Sequence, residues 1–288
     1  MKRKNSFYVV LMLFLGIITL SVFNYSNRDL VLNNSSQIKV SAKNSEEKEK
    51  IVLGVHGLNQ DIFTFLTDQV NKKGDIEVEL KVFDGNSLPA EGLQAGDLDV
   101  IIGNHKPWIE TFNKENNAGF VMLDDQFAYA SQFGIYSTKH EKIVDLPDGA
   151  QILIPNDPTN MQRGLQFLEK LGFLTLNESS GEFISLLDIK DNPKNFKFTE
   201  VEVSMIAGAY KDADAALGNT SVMQKAGIDP QSYIEEDGKS GDFPIGLVVH
   251  EKDKDSEWVK ILLEELNSDE FKDKFNEIYQ GSQVILEK

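Results

Sequence analysis

The sequence predicts a two-lobed α/β protein with mainly parallel sheets and a ligand cleft between the lobes. Two observations carry this. Short apolar segments alternate with helical ones in two successive series after residue 50, and polar or glycine-containing turns follow several of the strands. Such alternation builds parallel sheets covered on both faces, and a folded part of this length divides into cores of ~100 to 150 residues each.

The first series opens with a short apolar strand, Ile51 to Val55, followed by Ile62, Phe65, Leu66 and Val70 at helical spacing. Ile76, Val78, Leu80 and Val82 then alternate with Glu77, Glu79 and Lys81, the period of two that belongs to a strand with one wetter face. Leu98 to Ile102 reads as a buried strand, Pro107 to Asn116 as a helix and Phe133 to Ser137 as another strand. The second series starts at Gln151 to Pro155, after which Asn156-Asp157-Pro158-Thr159-Asn160 punctuates the start of a helix with Leu165, Leu168 and Leu171 on its apolar stripe and Gly172 as its stop. Phe198 to Val203, Ala215 to Leu217 and Ile245 to Val249 are later strands. The end is helical, with Trp258, Ile261, Leu262 and Leu266, then Phe271, Phe275 and Ile278. The expected organisation is residues 51–133 plus 246–288 in one lobe and 134–245 in the other.

Ahead of the first series, Lys2, Arg3 and Lys4 precede an uncharged run from Ser6 to Phe23. A basic triplet before an apolar core is the pattern of an export signal, and the run is near the lower limit for a membrane span. Both readings place the rest outside the cytoplasm, since positive charge stays inside. Ser21-Val22-Phe23-Asn24 offers no small-residue cleavage site, so residues 1–25 are expected to remain as a membrane anchor. Residues 26–50, rich in Asn, Ser, Lys and Glu, are expected to form a flexible tether.

Charge excludes one class of partner. The chain carries a formal −17, and the part beyond the basic triplet −20, which repels nucleic acid phosphates. With no cysteine, neither a disulfide scaffold nor a thiolate metal site is available. G-x-S-x-G, H-E-x-x-H and G-x-G-x-x-G motifs are absent. Gly238-Lys239-Ser240 imitates the end of a phosphate loop, but Tyr233 stands where its first glycine belongs. The four histidines, His56, His105, His140 and His250, are scattered. No catalytic set, metal site or cofactor is expected, and the protein is not expected to be an enzyme.

Ligands of open α/β sheets sit beyond the carboxyl ends of the strands, which selects residues 54–60, 103–108, 156–163 and 218–221. Of the three arginines, Arg3, Arg28 and Arg163, the last is the sole guanidinium of the folded part. Its planar fork suits a carboxylate in a way that lysine cannot copy, which suggests an anion clamp, with an ordinary helix-surface arginine as the competing reading. Asn219, after a strand, could accept from an ammonium or serve as a turn asparagine. His105 is a pocket candidate or a helix cap, and Asp157 is expected to cap the helix carrying Arg163.

These segments resemble the NlpA family of methionine-binding lipoproteins, the substrate-binding components of methionine ABC importers. The matching stretches are His105-Lys106-Pro107-Trp108, Asp145-Leu146-Pro147-Asp148-Gly149-Ala150, Ile154-Pro155-Asn156-Asp157-Pro158-Thr159-Asn160 with Arg163, Asp188-Ile189 with Asn192-Pro193-Lys194-Asn195, and Asp214-Ala215-Ala216 with Asn219-Thr220. The resemblance runs in order over residues 51–288. It implies a periplasmic-binding-protein fold of type II that closes on its ligand, with Arg163 on the ligand carboxylate, Asn219 on the amino acid backbone and His105 in the pocket wall. Asn160 and Trp108, in the same segments, complete the expected ligand-binding set. An ABC permease is the implied partner.

The chain also departs from the family pattern. The lipid-modified cysteine has no counterpart, so lipid anchoring is not expected. Gly103-Asn104-His105 stands where members read Phe-Gln-His. Asp84-Gly85-Asn86-Ser87-Leu88-Pro89 replaces Asp-Tyr-Val-Gln-Pro-Asn, Gln162 replaces a glycine, and Gly57-Leu58-Asn59-Gln60 replaces a Gly-Pro loop. Two aromatics of the thioether cage are thereby missing. The expectation is an extracytoplasmic binding protein for methionine, a related amino acid or a short peptide. The alternative is a surface interaction or sensor protein that kept the fold without transport.

Overall fold

Period-two burial sets the layers of both sheets. The computed structural model describes residues 48–178, 181 and 183–287; the expected anchor and nearly all of the expected tether lie outside them. The first series comprises β1 (Lys50–His56), α1 (Gln60–Lys73), β2 (Glu77–Phe83), α2 (Leu88–Ala95), β3 (Val100–Ile102), α3 (Lys106–Asn116) and β4 (Phe120–Met122). In β1, Ile51, Leu53 and Val55 face a core shared with α1, while Val52 packs on the opposite side; in β3, Val100 and Ile102 face the first core and Ile101 the second. Strands apolar on both faces belong at the centre of a covered sheet.

The chain then passes through β5 (Tyr129–Ser131) into β6 (Phe133–Tyr136), β7 (Gln151–Pro155), α4 (Pro158–Lys170), a hairpin of β8 (Thr175–Leu176) and β9 (Ile189–Asp191), β10 (Lys197–Val201), α5 (Ile206–Ala209), β11 (Ala215–Asn219), α6 (Thr220–Lys225) and β12 (Glu235–Glu236). Alternation separates two cores here as well. Ile152, Ile154, Ala215 and Leu217 face one side; Leu153 and Ala216 face the other. The return leads through β13 (Val248–His250), α7 (Glu257–Leu266), α8 (Asp269–Tyr279) and β14 (Gln283–Ile285), which pairs antiparallel with β5.

Both large sheets have five strands, in the orders β2-β1-β3-β13-β4 and β10-β7-β11-β6-β12. In each, the fourth strand is antiparallel to both neighbours and the other strands share one direction. That reversed strand belongs to the segment with which the chain enters the sheet from its counterpart. The two lobes are therefore topological copies, and the carboxyl ends of β1, β3, β7 and β11 all lead into the cleft described below.

Several boundaries differ from the sequence reading. Leu98 buries its side chain, 2% exposed, from a turn before β3. The helix α2 was not anticipated, because Pro89 and Gly92 interrupt its apolar spacing; Pro89 sits in the first turn, where proline costs no hydrogen bond. Gly92 fits because a Cβ there would meet Leu98 Cδ1 at 3.0 Å. Val203 lies in a 3-10 turn, and Ile245 forms a lone bridge with Tyr129 ahead of β13. Among the described residues, no helix is long and apolar enough to cross a membrane.

Candidate ligand cleft

The loops after β1, β3, β7 and β11 line a cleft of about 730 Å³. This is within the range of small-molecule sites, roughly 300 to 1,000 Å³. All five residues singled out in the sequence, His105, Trp108, Asn160, Arg163 and Asn219, are in its wall. Their surroundings give them different capacities.

Arg163, on the second turn of α4, is 3% exposed. Its guanidinium is stacked between two rings, with Cζ 4.0 Å from the Phe243 centroid and 4.8 Å from that of Phe133. Nε and Nη2 donate to the two oxygens of Asp237 at 2.5 and 3.1 Å. Asp237 also accepts from Lys239 N at 3.0 Å, and its carbonyl oxygen accepts from Lys170 Nζ at 2.8 Å. The competing reading of an ordinary helix-surface arginine does not fit this burial. One edge is already occupied by a carboxylate of the chain itself, because a guanidinium this deep is costly without a charge partner. The remaining N–H groups of Arg163 have no acceptor among the described residues, so the side chain keeps an open donor edge in the cleft wall.

His105 caps α3: its Nδ1 accepts from Trp108 N at 3.2 Å. With Nδ1 unprotonated, Nε2 carries the hydrogen and donates to Asn160 Oδ1 at 3.2 Å. Asn160 Nδ2 in turn donates to both oxygens of Asp157, at 3.1 and 3.0 Å, while Asp157 caps α4 by accepting from Asn160 N. Burial, aided by the Arg163 charge against an opposing contribution from Asp157, pushes the His105 pKa down to about 4. The imidazole is thus neutral, and the relay ties the helix after β3 to the helix after β7. Asn160 has both ends of its amide engaged in this relay. Trp108 stacks on Phe112 at 5.4 Å within a core cluster, so it is chiefly a packing residue that also touches the cleft.

Asn219 differs. It is half-buried at the end of β11, stands at the N-cap of α6 without a side-chain capping bond, and its amide meets no hydrogen-bond partner among the described residues. Its amide is thus open to donate and accept hydrogen bonds in the cleft.

The wall near β1 and β3 is polar. His56 Nε2 lies 3.1 Å from Asn104 Oδ1, and Asn104 Nδ2 donates to Asn86 O and Oδ1, both at 3.1 Å. Burial lowers the His56 pKa. Gly103, at φ +151°, has no room for a side chain, since a Cβ there would stand 2.5 Å from His56 Cδ2. The imidazole occupies the space that an aromatic at position 103 would need. Sequence reasoning missed Phe243, Asp237 and Gln283, and reached His56 and Asn59 only as members of the segment 54–60. Asp237 adjoins the rejected phosphate-loop imitation, and nothing local marks its pairing with a residue 74 positions away.

Two such lobes around a cleft with a buried cation and a free amide define a solute-binding protein. The chain belongs to the NlpA lipoprotein family, whose model matches residues 51–286. It is 31% identical over 233 residues to D-methionine-binding lipoprotein MetQ of Escherichia coli K12, covering 79% of this chain and 84% of that one. Lipoprotein 28 of the same organism is 31% identical over 247 residues, 84% and 90% of the two chains. The structure superposes with a TM-score of 0.76 on a nutrient-binding protein from Burkholderia cenocepacia bound to methionine, at 29% identity, covering 82% of this chain and 99% of that one.

Proposed function

We propose that the protein is the extracytoplasmic solute-binding component of an ABC importer and that it takes an amino acid or short peptide, with methionine as the reference ligand. The observation that carries this is the pairing, within one cleft, of the Arg163 donor edge with the unpartnered Asn219 amide, a donor and an acceptor suited to the two ends of a zwitterion. Relatives that bind methionine support the choice of class. The polar His56–Asn104–Asn86 wall favours ligands with a more polar or longer side chain than the thioether. A ligand favours closure only by binding the closed form more tightly than the open one.

A thermal-shift panel of the proteinogenic amino acids, D-methionine and dipeptides tests the reading. A ligand at ~100 times its dissociation constant adds about 2.7 kcal/mol of stability. A shift with at least one member is expected, and Asn219→Ala should cut it to about half or less. No shift with any member would refute transport binding in favour of an interaction role.

A further inference from the structure

The C-terminal strand β14 brings Gln283 into the cleft wall, where the residue is 2% exposed. Its Nε2 donates to Asn59 Oδ1 at 3.3 Å. The same oxygen accepts from the Tyr279 hydroxyl at 2.8 Å, and Asn59 Nδ2 donates to the Tyr129 hydroxyl at 3.4 Å. Burial raises the pKa of both phenols, so they remain protonated members of the cluster. Of the side-chain N and O atoms in it, Gln283 Oε1 alone is buried with no partner. Turning this amide alone would set its oxygen against Asn59 Oδ1, two acceptors facing each other. The other such atom among the described residues, Glu265 Oε2, is accounted for by Lys73 Nζ at 2.6 Å.

Buried carbonyl oxygens in folded proteins have donors. We propose that Gln283 Oε1 is a recognition point for an N–H donor of the ligand, an ammonium or an amide nitrogen. This rests on the cleft being the solute site, as proposed above. Gln283 then selects among solutes, because a ligand without a suitably placed N–H leaves the acceptor unpaired and loses affinity out of proportion to its size. The nearby hydroxyls are not equivalent, since Ser131 Oγ and Ser221 Oγ already satisfy one another at 3.0 Å.

The test is calorimetric titration of the full-length protein and two variants. Gln283→Met removes the amide at nearly constant length, and Gln283→Glu, kept protonated by burial, retains an acceptor while its O–H replaces the Nε2 donor to Asn59 Oδ1. The probes are the tightest-binding amino acid of the panel, beginning with L-methionine, and its N-acetyl derivative. For the free amino acid, Gln283→Met should raise Kd about 10- to 100-fold and Gln283→Glu by less than about 3-fold. Because the N-acetyl derivative keeps one N–H on the same nitrogen, a penalty that vanishes with it assigns the contact to the charged α-ammonium, and one that persists shows that a neutral N–H suffices. Equal affinity of wild type and Gln283→Met, with Gln283→Glu equally unaffected, overturns the proposal and leaves the binding function intact; an ordered water then serves the oxygen. If no panel member binds the wild type, the functional reading itself fails, and the proposal falls with it. Unliganded thermal unfolding of each variant separates lost recognition from lost folding.

Discussion

Asp237 sets both carboxylate oxygens against one edge of the Arg163 guanidinium, 2.5 Å from Nε and 3.1 Å from Nη2, with both side chains 2% exposed. The pair is a buried structural unit. Removing one partner strands a buried charge, so Asp237→Ala is expected to cost about 3 to 5 kcal/mol in urea unfolding. The Asp237→Ala, Arg163→Ala double variant should lose less than the sum of the single changes. A cost under ~1 kcal/mol for Asp237→Ala would show that the pair does not hold α4 in place.

His105 makes stability depend on pH with a definite sign. Its folded pKa of about 4 lies below the ordinary value of 6.5. Below pH 6.5 the unfolded chain therefore takes up a proton that the folded protein refuses until about pH 4. Stability is full above that window and falls as pH drops through it, by on the order of 3 kcal/mol at one pKa unit per 1.36 kcal/mol. Unfolding free energies measured between about pH 7 and 4.5 should show His105→Gln losing less than wild type as the solution is acidified. Parallel profiles for the two proteins would exclude His105 as the source.

Gly103 and His56 share one volume. Gly103→Ala should destabilise by about 1 to 3 kcal/mol, through both the left-handed φ and the collision with the imidazole. Combining it with His56→Ala should recover part of the loss. Denaturant midpoints of the three variants decide the matter, and strict additivity would place the strain elsewhere.

Asn219 is expected to behave oppositely to Arg163. Because its amide has no hydrogen-bond partner among the described residues, Asn219→Ala should shift the unliganded melting temperature by little, within about 0.5 kcal/mol, yet weaken ligand binding about tenfold or more. A large loss of unliganded stability would instead identify it as a structural cap.

The fold was legible because its signals are local. Alternation in Ile76 to Val82, the helical spacing from Leu165 and the clustered apolar residues of the last two helices each decide an element without distant help. The helix at Leu88 was not, since Pro89 and Gly92 mask a segment whose burial depends on Leu98. For the site, composition isolated Arg163, and strand ends located His105, Asn160 and Asn219. What these side chains are free to do was invisible, because it depends on partners far along the chain. Asp237 takes an edge of Arg163, and the His105 relay consumes Asn160. Gln283 offered no local signal at all; only the cluster it joins leaves its oxygen unpaired.

The bond from Gln283 to Asn59 spans 224 positions. Contacts of such separation form late, after most loop entropy has been surrendered. A chain without β14 would thus keep every strand of both five-stranded sheets and still lack the bond that sets Gln283 in the cleft wall.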